Sequence, residues 1–267
     1  MDKQPLKIND TPAASSKVLH KHSKSIDFDN SFHYQSVIGK LNYLEKCTRT
    51  DISYATHQCA QFTENLKVQH GKAVQWIARY LKGTMNEGII MKPTILEDLK
   101  LYVDADFSGN WSKDESDDRD SARSRHGYIV HYYGCPLLWK LQLQTEIALS
   151  STESEYIGLS SGLREVIPIM RTLKEMKVNG FPIVNVNSDV HCRVFEDNSG
   201  ALEMAKVHKY RPRTKHMNVK FHHFRDYVER GEVTLHPIGT DNQPADMLTK
   251  PLNESILAKH RKFVMGW

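Results

Sequence analysis

Two aspartates, Asp104 and Asp106, end a run in which Leu99, Leu101 and Val103 alternate with Lys100 and Tyr102. That period of two predicts a β-strand, and residues two apart on a strand share a face, so either acid could reach a sheet rim where other acids converge. Three further acids fall at comparable boundaries: Glu155 in the first turn of a long predicted helix, Asp197 just after a predicted strand, and Asp246 in a short predicted helix. Carboxylates gathered in this way suit hard divalent cations such as Mg²⁺, and two ions about 3.5–4 Å apart can activate water and stabilise a phosphodiester's leaving oxygen. Each acid also has an ordinary explanation. Glu155 and Asp246 would complement a helix dipole, Asp197 would cap the following helix, and Asp104 would open a turn.

The elements that must carry these acids can be read from spacing. Residues 1–32 mix Lys, Ser, Asp, Asn and Pro with few large apolar side chains, the composition of a flexible lead-in. From Tyr34 the pattern turns helical: Val37, Ile38, Leu41 and Leu44 mark one face, Asp51 is placed to cap a second helix from Ile52, and Val74, Ile77, Ala78 and Leu81 mark a third that ends at Gly83. Gly88 to Pro93 reads as a short strand, and Lys113 to Asp120 as a solvated loop. After the acidic strand come strands at Tyr128–Tyr133, Leu137–Trp139 and Glu146–Leu149. A long helix follows, capped by Ser150, Ser151 or Thr152, with Tyr156, Leu159, Leu163, Ile167, Met170 and Leu173 on its apolar face. A strand from Val190 to Glu196, helices from Ser199 and Met217, a strand from Val233 to Ile238 and a short helix near Pro244 give a mixed α/β order.

Composition narrows the class of protein. The 267 residues are 39% hydrophobic and 25% charged with a formal net charge of +4, as in ordinary globular chains, so any partner must be read from charge distribution. Cys47, Cys59, Cys135 and Cys192 are widely spaced with no signal peptide, which predicts free thiols and an intracellular setting, cytoplasmic or nuclear. No apolar run approaches a bilayer-spanning length, so no membrane role is expected.

Several stretches are similar to a known family. Tyr102 to Gly109 (YVDADFSG), Ala148 to Tyr156 (ALSSTESEY), Glu196 to Ala201 (EDNSGA), Arg213 to Met217 (RTKHM) and Ala245 to Leu252 (ADMLTKPL) resemble, in this order, the ribonuclease H segment of copia-type retrotransposon polyproteins. Upstream, Tyr34 to Leu44, Arg49 to Ile52 and Ala78 to Thr84 look like the end of the same polyprotein's reverse transcriptase. The resemblance implies an α/β, ribonuclease H-like mixed sheet flanked by helices and preceded by a small helical reverse-transcriptase segment. With the compositional lead-in at 1–32, this gives that segment at 33–95, the ribonuclease H-like domain at 96–252 and a tail at 253–267, the resemblance itself covering roughly residues 33 to 263. It also implies cleavage of the RNA strand of an RNA–DNA hybrid with two Mg²⁺ or Mn²⁺ ions. Motif alignment carries Asp104, Glu155, Asp197 and Asp246 over as catalytic residues and metal ligands, with Asp106 and Glu153 as second choices.

A substrate surface is expected beyond these acids. Lys206, Lys209, Arg211, Arg213, Lys215, His216, Lys220 and Arg225 follow one another with no acid between them, a run able to track a phosphate backbone or to serve simply as a solvated face. The histidines show no Cys/His spacing suited to zinc, so no zinc is expected. Arg49-Thr50-Asp51-Ile52 departs from the family's Arg-Pro-Asp-Ile, losing a rigid helix start but no chemistry. The aromatic-x-Asp-Asp signature of a polymerase is missing, and Ser116-Asp117-Asp118 sits in a polar run, so polymerase activity would need the remainder of a reverse transcriptase as partner. The chain opens on Met within what the resemblance makes a longer polyprotein, as expected of a truncated reading frame, a remnant or a domain reused by its host. The rival to an active nuclease is a catalytically silent module that keeps the fold and binds nucleic acid.

Overall fold

The computed structural model describes residues 7–14, 19–21, 26–94, 98–113, 118–181, 190–206 and 222–267. Helices α1 (Tyr34–Cys47), α2 (Ser53–Ala60) and α3 (Val68–Gly83) precede strands β1 (Leu99–Asp106), β2 (Arg125–Tyr132) and β3 (Cys135–Leu143). Then come α4 (Ser151–Val178), β4 (Cys192–Glu196), α5 (Ser199–Lys206), α6 (Arg225–Glu229), β5 (Val233–Pro237), α7 (Asp246–Thr249) and α8 (Glu254–Met265). The strands form one sheet in the order β3-β2-β1-β4-β5, antiparallel from β3 to β1 and parallel from β1 to β5. This is the mixed α/β sheet flanked by helices expected from the sequence.

Sheet order puts the acidic strand at the centre. β1 pairs with β2 on one side, Asp104 opposite Gly127, and with β4 on the other, Tyr102 opposite Phe195. Its two faces are covered by different cores. On one, Leu101, Val103 and Val194 meet Leu159, Leu163 and Val166 of α4, all fully buried. Each such side chain contributes about 1.5–3 kcal/mol by leaving water. Gly158 and Gly162 let α4 lie close: a Cβ on Gly162 would stand 3.1 Å from the Leu101 methyls, and one on Gly158 3.2 Å from Val103. Pro168 falls on the exposed side of the same helix, where a lost backbone bond is offset by water. On the other face Ile129 packs with Met247, Leu248, Leu257, Val264 and Met265 of α7 and α8, and Tyr102 stacks on Phe195 with ring centroids 4.9 Å apart.

Several expectations change in the structure. Residues 88–94 form no strand; the Ile90 N–H donates to the Met265 carbonyl at 2.9 Å, tying the segment to the end of α8. Glu146–Leu149 is not a strand either, since its residues make the bend that leads into the α4 cap. The segment read as a C-terminal tail holds α8, whose apolar side closes the second core. Described parts of the lead-in pack on the front helices: the Trp76 indole donates to the Thr11 carbonyl at 2.8 Å, and Phe28 sits edge-on to Tyr34 of α1 with ring centroids 6.2 Å apart. Of the helix expected from Met217 to Arg230, Arg225–Glu229 is α6, and 217–221 lie outside the described residues.

Asp51 does not cap a helix. It is buried in the front core, where its carboxylate accepts from Arg49 Nε at 2.9 Å, Arg49 Nη2 at 2.8 Å and the Tyr80 hydroxyl at 2.5 Å. Arg261 of α8 donates to the same hydroxyl at 3.0 Å, so one ionic network joins the front helices to the end of the chain. Asp51→Ala would leave the buried Arg49 guanidinium without its counter-ion and is expected to destabilise the fold by about 3 kcal/mol, read from urea denaturation.

Candidate metal centre

Four acids arrive from four elements. Asp104 comes near the end of β1, Glu155 from the first turns of α4, Asp197 one residue beyond β4, and Asp246 as the first residue of α7. One oxygen each from Asp104, Glu155 and Asp197 lie within 4.8 Å of one another. Asp246 is outside that trio but joined to it by a cation: Lys250 Nζ lies 2.9 Å from Asp104 Oδ1 and 2.9 Å from Asp246 Oδ1. The Thr249 hydroxyl donates to the other oxygen of Asp104.

Local structure explains why these side chains are free to meet. The cap of α4 is made by Ser150, whose hydroxyl accepts from the Glu153 N–H at 3.2 Å, while the Glu153 carboxylate accepts from the Leu149 N–H at 2.8 Å. Glu153 is thereby used and Glu155, two residues on, is not. At α5 the capping oxygen belongs to Asn198, which accepts from the Ala201 N–H at 3.0 Å, and Asp197 instead takes a bond from the Thr240 hydroxyl at 2.9 Å. Asp106 folds over the turn after β1, so close to Gly109 that a Cβ there would overlap its carboxylate at 1.6 Å. The approach of α7 depends on the residue paired with Asp104. That residue is Gly127, and a Cβ on it would lie 2.8 Å from Leu248 Cβ.

Three supporting residues escaped the sequence reading. Gln243 is buried and donates to the Val103 carbonyl at 2.7 Å and to the Phe195 carbonyl at 3.4 Å, spanning β1 and β4 just below their acids. Glu196 is fully buried on the α4 side of the sheet; its position in the alternation Cys192, Val194, Glu196 is the signal that could have marked it. Lys250, four residues after Asp246 and just past the end of α7, carried the spacing of a helical ion pair. Of the basic run, Lys206 is exposed at the end of α5, and Lys209, Arg211, Arg213, Lys215, His216 and Lys220 lie outside the described residues. Arg225 serves the fold: its guanidinium donates to the Tyr156 hydroxyl at 3.1 Å and to the Met204 carbonyl at 2.9 Å.

No family model matches the chain. A retrovirus-related Pol polyprotein from a Nicotiana tabacum transposon is 36% identical over 228 residues, 85% of this chain and 16% of that protein. A second, from Arabidopsis thaliana, is 33% identical over 245 residues, 92% of this chain and again 16% of the relative. The chain belongs to the copia-type Pol polyprotein family. It spans about a sixth of the length of these relatives. Among solved structures, the N-terminal RNase H domain of a Mycobacterium tuberculosis protein aligns with a TM-score of 0.38 and 12% identity, over 62% of this chain and 96% of that one.

In this copia-type Pol segment the acids are held against strong electrostatic opposition. Burial first, then repulsion from Glu196, Asp104 and Asp197, pushes the Glu155 carboxyl far above the usual carboxylate range. Burial likewise raises Glu196, although the Asn198 N–H stabilises its charge. Asp246 is pushed up to about 7, by burial and then by Asp104, with Lys250 opposing both. Glu155 Oε2 and Glu196 Oε2 are buried with no hydrogen-bond partner among the described residues. A carboxyl whose folded pKa is raised binds more protons folded than unfolded, so the metal-free fold loses stability as pH rises above the unfolded carboxyl value. Glu155→Gln removes one such group. It is expected to stabilise the metal-free chain at pH 8 by on the order of 1–3 kcal/mol and to flatten the decline between about pH 5 and 8, measured by denaturation in EDTA.

Proposed function

We propose that this chain is a metal-dependent endonuclease that cleaves the RNA strand of RNA–DNA hybrids. The observation that carries the reading is the convergence of Asp104, Glu155 and Asp197, one oxygen each within 4.8 Å of one another, with Asp246 tied alongside through Lys250. The donor set fits a hard divalent cation: every candidate ligand is a carboxylate, and Glu155 Oε2 is buried without a hydrogen-bond donor among the described residues. Asp104, Glu155, Asp197 and Asp246 would hold two Mg²⁺ or Mn²⁺ ions. Bound there, such ions would supply an activated water and charge stabilisation at the leaving oxygen of a phosphodiester.

The chain's own groups have separable tasks. Asp104 lies near the end of β1 and Asp197 just past the end of its parallel neighbour β4, two strands held together beneath them by Gln243, so their separation is set by the sheet. Thr249 fixes the rotation of the Asp104 carboxylate by bonding one oxygen. Glu155 is carried by α4 from the opposite side of the sheet, and its raised proton affinity lets it hold a proton until a cation neutralises its neighbours. The substrate class rests on the motifs shared with copia-type Pol polyproteins and on the basic run from Lys206 to Arg225, with Lys209, Arg211, Arg213, Lys215, His216 and Lys220 as the backbone-contacting groups. Polymerase activity is not part of this reading, because the aromatic-x-Asp-Asp signature is absent from the sequence.

The test is cleavage of an end-labelled RNA–DNA hybrid with Mg²⁺, Mn²⁺ or EDTA, beside single-stranded RNA and duplex DNA. Metal-dependent cutting confined to the RNA strand of the hybrid is expected; binding without cutting by folded protein would replace the nuclease with a silent binding module. Asp197→Asn removes a ligand charge at nearly constant shape. Its cleavage rate should fall by more than about 100-fold, beyond the usual effect of groups that only touch metal ligands, while hybrid affinity stays close to that of the parent. Neutralising Arg211, Arg213 and Lys215 together should leave the metal response intact but weaken hybrid binding, lowering the slope of log affinity against log salt by about 2–3.

A further inference from the structure

Lys250 holds a position that the proposed chemistry does not require of it. Its ammonium is 2.9 Å from a carboxylate oxygen of Asp104 and 2.9 Å from one of Asp246, which bridges the two acids as a cation would. Asp104 is wholly buried, and both of its oxygens are engaged, one by Lys250 and the other by the Thr249 hydroxyl. The ammonium arrives on a side chain about one-third exposed, at the edge of the cluster, and its backbone is fixed by the bond from the Lys250 N–H to the Asp246 carbonyl at 2.9 Å. Lys is a flexible stem with a compact charge, so withdrawal toward water needs only side-chain rotation.

We infer that Lys250 is a built-in counter-cation of the acidic cluster, and that a divalent ion at the Asp104–Asp246 edge must displace its ammonium from Asp104. This rests on the metal-centre reading above. Two cations cannot share one carboxylate oxygen at bonding distance without repelling each other, and the acids cannot stand together unneutralised in a buried place. Lys250 therefore keeps the metal-free fold intact and sets a threshold for ion loading. The same exchange leaves an ammonium beside the cluster whenever an ion is seated.

Calorimetric titration of the full chain with Mn²⁺ tests this without reference to cleavage. Lys250→Met, close to lysine in length and uncharged, should bind Mn²⁺ at least about tenfold more tightly than the parent, the scale on which groups touching metal ligands move affinity. It should also melt at lower temperature than the parent in EDTA. Lys250→Arg keeps the charge and should bind no more tightly than the parent. In the unsubstituted chain, ¹⁵Nζ NMR of the lysine side chains, with the Lys250 signal identified by its loss in Lys250→Arg, should show that signal shifting as Mg²⁺ is added. This second readout needs no destabilised variant. Equal or weaker Mn²⁺ binding by a folded Lys250→Met, or a Lys250 signal indifferent to Mg²⁺ while the ion binds, overturns the inference and leaves the metal centre standing. Absence of Mn²⁺ binding by parent and variant alike overturns both.

Discussion

Carboxylates brought together out of water repel one another and lose their hydration, and this cost shapes the centre of the molecule. Asp104 and Glu196 are fully buried, Glu155 and Asp246 nearly so, and Asp197 completes the group. Such a cluster persists only if the scaffold cannot relax it apart and if some charge is neutralised. The scaffold is the central strand pair β1–β4, bridged by Gln243, and the neutralising charge is Lys250. A site built in this way costs stability in the metal-free chain, and a bound cation would return it, linking folding to the proposed ion binding.

The rest of the fold is arranged so that elements can reach this point from both faces. Small residues make the approaches: Gly158 and Gly162 let α4 lie on the sheet with Glu155 near its start, and Gly127 lets α7 lie over the position opposite Asp104. The front helices are not an independent neighbour. Gln58 and Gln61 of α2 and its C-cap bond to Asn110, just after the acidic strand, and Arg125 of β2 donates to the same Asn110 at 2.7 Å. The Asp51–Arg49–Tyr80–Arg261 network ties the front to α8. The turn after Asp106 is therefore buttressed by the helical unit that precedes the sheet.

Local signals were sufficient wherever one element's pattern decides its own fate. The alternation at Leu99–Val103, the helical spacing from Tyr156 to Met170 and the cap candidates Ser150 to Thr152 all lie within a few residues of what they control, and the structure has β1 and α4 where they point, with Ser150 as the cap. The misread segments are those whose state is set from outside. Ile89 packs against the second core and the Ile90 N–H bonds to the end of α8, neither pairing as a strand, and Asp51 looks like a cap from its neighbours although Tyr80 and Arg49 claim it in the core. The C-terminal residues lack a local mark of importance, yet Val264 and Met265 close the second core.

The sequence by itself determined which residues could take part in the chemistry, because carboxylates at strand ends and helix starts, in that chain order, restrict both the element type and the ligand class. It also narrowed the cap of α4 to Ser150, Ser151 or Thr152, since capping acts over four residues; the structure uses Ser150 together with Glu153. Only the tertiary structure decided that Asp104, Glu155 and Asp197 meet within 4.8 Å, that Glu196 lies buried beside them, and that Lys250 bridges Asp104 and Asp246. The reason is physical: proximity across 51 or 146 residues of chain is fixed by sheet order and helix packing, and charges respond to that proximity and to lost solvent, neither of which a linear pattern contains.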